Sequence, residues 1–177
     1  MGNNNIKKDE NNGEKSINNE QEKQINELNQ RVNLLEQKLL NKFTYPLDNN
    51  SIYYENIQIS FQGDNTYLHT LVCGLNELKE NKDPNKKVII MLHGYQGNSL
   101  NFYKIIPYIY KDFICICPDI IGMGVSSRVN MEFKSNEQCI NFFTESIEAF
   151  RVVLEKNYNL KKKIYFMWAF FGWIFCS

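Results

Sequence analysis

An excess of charge of either sign is missing from this sequence: 20 Lys and Arg offset 20 Asp and Glu over 177 residues. Nothing in that balance draws the chain toward nucleic acid or an anionic membrane surface, and no nucleic-acid partner is expected. Cysteine shows no C-x-x-C pair; the five are Cys73, Cys115, Cys117, Cys139 and Cys176. An odd count, and no apolar leader at the amino terminus, exclude the signature of a secreted disulfide framework. Five reduced thiols are expected, in an intracellular protein that is cytoplasmic or peripheral to a membrane. Cys115 and Cys117 share a strand face, but FICIC is apolar and has no His nearby, so they read as buried core thiols, with neither metal nor cofactor called for. Gly2 lacks the Ser or Thr that myristoylation needs at the sixth position, where Ile6 stands. Long apolar runs are absent as well, since Ile164 to Cys176 falls short of the roughly 20 residues of a spanning helix.

What is present begins with a polar tail. Residues 1–24 are mostly Asn, Lys, Glu and Gln, too poor in large apolar groups to offset the entropy of ordering, and are expected to be disordered. Over residues 25–45 the pattern becomes helical: Ile25, Leu28, Val32, Leu35 and Leu39 recur three and four apart, with Pro46 as the stop. The stripe covers only about two heptads, so docking on its own domain and self-association through Ile25 to Leu39 both stay open.

Residues 51–177 read as one domain, incomplete at its end. IYYENIQISF and TYLHTLVCGL flank a turn at Gly63 to Asn65 and predict an antiparallel strand pair. VIIML (Val88 to Leu92) and FICIC (Phe113 to Cys117) are short continuous apolar runs, the mark of strands buried on both faces. Between them a helix is expected up to about Tyr110. Ser135 and Gln138 form a capping-box signature, after which Ile140, Phe143, Ile147, Phe150, Val153 and Leu154 recur at helical spacing toward Asn157. Strand, helix, strand, helix is the alternation of an α/β fold.

Two loops follow the buried strands. HGYQGN places Gly94 and Gly97 where the backbone must bend beyond a strand's carboxyl end, and alone it says little. DIIGMGVS adds Asp119, Gly122, Gly124 and Ser126 in the spacing D-x-x-G-x-G-x-S. Together with the long helix, the sequence resembles the α/β-hydrolase superfamily over residues 52 to 163. SSRVNMEF and FFTESIEAFR look like its lipid-acting branch of lysophospholipid and N-acyl-phospholipid hydrolases. The resemblance implies a serine esterase acting on a small-molecule ester or lipid, with Ser, acid and His contributed from the nucleophile elbow onward. It also implies that the backbone N–H of Tyr95 is one oxyanion donor, and that His93 and Asp119 fix the two loops. His69, in the early strands, reads as a satisfied polar residue rather than a base.

The elbow G-x-S-x-G is not written in this sequence; AFFGW stands in its place. Met167 and Trp168 have single codons, so moving the reading frame forward one base forces Cys and then Gly. The same shift permits Lys163 to Phe175 to read K-Y-I-L-C-G-H-S-L-G-G-Y-F, a buried strand and a complete elbow with serine at Phe170. Lys161 to Lys163 would be an adenine run if encoded AAA, a site where single-base errors collect. The expectation is therefore a chain frameshifted before its nucleophile and inactive by itself, with the strands Val88 to Leu92 and Phe113 to Cys117 lacking partners on their apolar faces. Two alternatives stand beside it: a non-enzymatic lipid- or partner-binding scaffold, and a protein anchored or peripherally attached to a membrane through Ile164 to Cys176.

Overall fold

The computed structural model describes residues 6–43, 47, 51–63, 65–79, 86–158, 160 and 163–168. It divides into two compact units, residues 1–38 and 39–177.

The first unit is helical. Helix α1 spans Ile6–Phe43, so it begins before the start expected at residue 25. The physical reason is propensity: Lys, Glu and Gln are good helix formers, no proline falls between Ile6 and Phe43, and Gly13 is the single strong helix breaker there.

The second unit is a five-stranded mixed sheet in the order β1-β2-β4-β3-β5. Strands β1 (Ile52–Gln58) and β2 (Tyr67–Cys73) pair antiparallel, as their alternating pattern implies. β2 continues antiparallel onto β4 (Phe113–Pro118), and β3 (Lys87–Leu92) lies parallel to β4 and to β5 (Ile164–Trp168). A short helix α2 (Leu75–Lys79) follows β2. The helix expected before Tyr110 is broken into a 3-10 turn at Ser99–Phe102 and a single turn α3 at Ile106–Ile109. Pro107 explains the break, because it lacks the N–H that a continuous helix would need at that point.

Helix α4 runs Asn136–Tyr158 with Ser135 as its cap: the Gln138 N–H donates to Ser135 Oγ at 3.2 Å, while Gln138 Oε1 accepts the N–H of Lys134, one residue before the cap, at 2.8 Å. Its buried face is Cys139, Phe142, Ser146, Phe150, Leu154 and Tyr158. The face expected from sequence is thus rotated. Phe150 and Leu154 are buried, whereas Ile140 is 63% exposed. Tyr158 fastens the helix end to β1, its hydroxyl donating to Glu55 Oε1 at 2.6 Å.

The buried strands are fully partnered, against the expectation that their apolar faces would be bare. Val88, Ile90, Leu92, Ile114 and Ile116 pack into one core with α4 residues Phe142, Phe150 and Leu154. Met91, Cys115 and Cys117 fill a second core with Phe102 and Ile106 on the other side. Apolar surface is left instead at β5, where Phe166 and Trp168 are exposed. Cys73, Cys115 and Cys117 are free and buried. Cys139 corrects the reading of five reduced thiols, since it is disulfide-bonded. Ile164–Trp168 is a strand, which removes that segment from any helical anchor, and no described helix is long and apolar enough to cross a membrane.

Candidate functional site

The site lies where the chain leaves the carboxyl ends of β3 and β4. Directly after β3, His93 is fully buried, and both of its ring nitrogens are engaged. Nε2 accepts the Ile120 N–H at 2.9 Å, which requires that nitrogen to be unprotonated. Nδ1 therefore carries the proton and donates to the Gly94 carbonyl at 2.8 Å. One imidazole ties the loop after β3 to the loop after β4. The turn is closed by the Gly97 N–H donating to Gly94 O at 3.0 Å, with Gln96 held at φ +58°. A side chain at Gly97 would meet Asn101 Nδ2 at 2.8 Å.

Asp119 is the second tie. Its Oδ1 accepts the Ser99 N–H at 2.6 Å and its Oδ2 the Val125 N–H at 2.8 Å. The glycines of D-x-x-G-x-G-x-S follow from this clasp. Gly124 sits at φ +51°, and a Cβ there would lie 1.8 Å from Asp119 Oδ2. Gly122, at φ +78°, would place a Cβ 2.6 Å from the end of Met131. Ser126 closes the loop, its hydroxyl donating to the Asp119 carbonyl at 2.7 Å and accepting the His69 N–H at 2.9 Å. Ser127 Oγ accepts the Tyr67 N–H at 2.9 Å, and Arg128 donates to the carbonyls of Ser126 and Gly124. A carboxylate holding two amides and a hydroxyl holding two backbone groups are committed to loop geometry.

Tyr95 follows Gly94, and its side chain is 56% exposed. Among the described residues its N–H is donated to no backbone carbonyl, so it is available to a bound group. His69 lies on β2, with β4 between it and the turn after β3. It is buried, stacks on Tyr54 with ring centroids 4.5 Å apart, and pairs its Nδ1 with Asn56 Oδ1 at 2.6 Å. The structure thus brings His93, Gly94, Tyr95 and Gly97 together with Asp119, Gly122, Gly124 and Ser126, and joins His69 to that loop by its backbone alone, the N–H to Ser126 and the carbonyl to the Asp119 N–H, while its ring is held by Tyr54 and Asn56. Phe170 lies outside the described residues.

Sequence reasoning missed Ser99, Ser127 and Arg128. Ser99 is fully buried and supplies the amide that Asp119 holds. No motif letter marks it, because a backbone N–H carries no side-chain signature. Among the described residues no group of three or more His, Cys, Asp or Glu is arranged to hold a metal ion. Beside the site, α4 and β5 enclose an open groove of about 680 Å³, lined by Leu92, Ile140, Phe143, Ile147, Phe166 and Trp168 among others.

The register at the sheet's end adds a topological fact: Trp168, the last residue of β5, is level with Leu92, the last residue of β3. The chain therefore leaves β5 beside the His93–Gly94 turn.

The parallel strands β3 and β5 end level at the carboxyl edge of the sheet, the edge at which α/β sheets generally bind ligands. Residues 87–166 match the family model described as the alpha/beta hydrolase fold. Among solved structures, it is similar to a 2-hydroxy-6-oxo-6-phenylhexa-2,4-dienoate hydrolase from Rhodococcus sp. strain RHA1, at 20% identity and a TM-score of 0.44, covering 65% of this chain and 37% of that one. It is also similar to the Cif epoxide hydrolase from Acinetobacter nosocomialis, at 17% identity and a TM-score of 0.48, covering 77% and 37%. A bacterial membrane phospholipase A matches at 15% identity and a TM-score of 0.45, covering 73% and 34%. The chain spans about a third of the length of these structures.

Proposed function

We propose that this chain carries the oxyanion side of a serine hydrolase acting on carboxylic esters, of lipid or lysophospholipid type, and that the polypeptide as written does not turn over such esters. The observation that carries the reading is the meeting of the two strand exits: the turn after β3, with the Tyr95 amide available, stands level with the end of β5. In that arrangement the Tyr95 N–H stabilises the oxyanion of a tetrahedral intermediate, and an attacking hydroxyl just past β5 is within reach of the same carbonyl. His93 and Asp119 are positioning residues, which hold the turn by binding Ile120, Ser99 and Val125 amides.

The general base is not supplied by either histidine, since His93 has both nitrogens engaged and His69 lies two strands away from the turn. The attacking serine belongs to another reading frame, in which it falls at position 170. Loss of nucleophile and base removes nearly all catalysis, whereas one oxyanion donor contributes about a hundredfold or more. Lipid preference is the finer part of the proposal and rests on the SSRVNMEF and FFTESIEAFR resemblance.

A fluorophosphonate probe tests the reading. The polypeptide as written should remain unlabelled, while a version translated in the shifted frame from Lys163 onward, and continued to the end of that open frame, should label and lose labelling on Ser→Ala substitution at the elbow. Labelling of the unshifted polypeptide would refute its inactivity. An unlabelled shifted version, folded by circular dichroism, would refute the serine-hydrolase assignment.

A further inference from the structure

Helix α1 displays large apolar side chains along one line. Ile25, Leu28 and Leu35 are 58%, 62% and 60% exposed, Leu39 is exposed and Val32 half-buried. Written as heptads, Ile25, Val32 and Leu39 occupy the a positions and Leu28 and Leu35 the d positions. Exposing so many large apolar groups along one helical line is unfavourable in water, and a partner that covers them at the same spacing relieves it.

We infer that α1 is the interface of a parallel, in-register, two-stranded coiled coil formed with a second copy of this chain. The identity of the residues selects the geometry: β-branched Ile25 and Val32 at a, with Leu28 and Leu35 at d, are the combination that packs best in parallel dimers. Charge selects the direction. The g positions are Arg31 and Lys38. An antiparallel pair with Ile25 opposite Leu35 of the other copy sets Arg31 against Arg31. The alternative, with Leu28 opposite Leu39, sets Arg31 against Lys38. Both place cations face to face, whereas in the parallel pair g positions meet e positions instead. Arg31 then comes opposite Glu36 of the other copy; Glu36 is buried within its own chain and adds nothing to the argument. The next a position back is Asn18 and the next d position on is Lys42, so the seam is about two heptads long and the dimer dissociates readily on dilution.

The inference is independent of the hydrolase reading and is tested on the full chain. Sedimentation velocity over a concentration series should show the average mass rising from one chain toward two. Leu28→Ala/Leu35→Ala, which keeps helix propensity high, should abolish that rise with unchanged helical circular dichroism. Direction is read from Ile25→Cys and Leu35→Cys proteins treated with diamide, which takes two electrons and two protons from a pair of thiols as one S–S bond forms. Each variant alone should give covalent dimer above the wild-type background. A chain that stays monomeric at all concentrations, or a Leu28→Ala/Leu35→Ala protein that still dimerises, overturns the interface. Cross-linking seen only when the two variants are mixed overturns the parallel direction.

Discussion

Replacing Gly124 by alanine should release both loops of the site at once. The new methyl would lie 1.8 Å from Asp119 Oδ2 and 2.3 Å from its Cγ, so the carboxylate must leave its place. Two amide bonds go with it, those from Ser99 and Val125. Each is a bond to a charged acceptor and contributes about 1.5–3 kcal/mol. The left-handed backbone at φ +51° adds about 1–2 kcal/mol for any residue with a Cβ. Together the substitution should cost about 4–8 kcal/mol, most of the stability of a domain that holds about 5–15 kcal/mol. The assay is urea denaturation followed by circular dichroism. With a slope of about 1–3 kcal/mol per molar urea, the midpoint should fall by about 1.3 M or more, with the slope unchanged. A double-mutant cycle isolates the cause. In an Asp119→Ala background, Gly124→Ala should cost only the backbone component of about 1–2 kcal/mol, because there is no carboxylate to displace. A loss below about 2 kcal/mol in the wild-type background, or an equal loss in both backgrounds, would refute the clasp.

Three further outcomes follow from the same structure. Removing the imidazole in His93→Ala leaves the Ile120 N–H without its acceptor and should cost about 3 kcal/mol by urea titration; a neutral result would mean that the two loops are not held by that ring. Burial pushes the Cys115 thiol up to about 12, and burial also raises Cys117, so about one Cys115 in ten thousand is thiolate at pH 8 and Ellman's reagent should react with these two only as fast as the chain unfolds; rapid reaction in the native protein would contradict their burial. The same groups set an alkaline limit: burial first, then the bond to Glu55, raises Tyr158 above its ordinary 10.0, as burial raises Cys115 above 9.0. A raised value favours the protonated form on folding, so these contributions are present below about pH 9 and are lost as pH climbs through the folded values; stability flat from pH 8 to 12 would count against both environments.

Local order was largely legible. The continuous apolar runs VIIML and FICIC are strands, the alternating segments before them form the antiparallel pair, and Ser135 caps the long helix through Gln138, since these features depend on nearest neighbours along the chain. D-x-x-G-x-G-x-S was legible as a motif because Gly122 and Gly124 adopt positive φ, a demand that only certain residues meet. The extent of α1 was not: the composition that suggests disorder in residues 6–24 is also one of good helix formers, and the two readings differ by a small free energy. The rotated face of α4 escaped as well. Two apolar stripes run along that helix, and periodicity alone does not say which one the sheet will take.

The chain's own letters thus determined its strands, its caps and the glycines that its loops require, because steric and hydrogen-bonding limits on single residues act wherever the chain goes. Only the tertiary structure decided that β5 ends level with β3, that the His93 ring spans from Gly94 to Ile120, and that the Asp119 carboxylate is shared between Ser99 and Val125. Those pairings join residues far apart in sequence, and they exist because two strands lying parallel in one sheet bring their exits to the same edge.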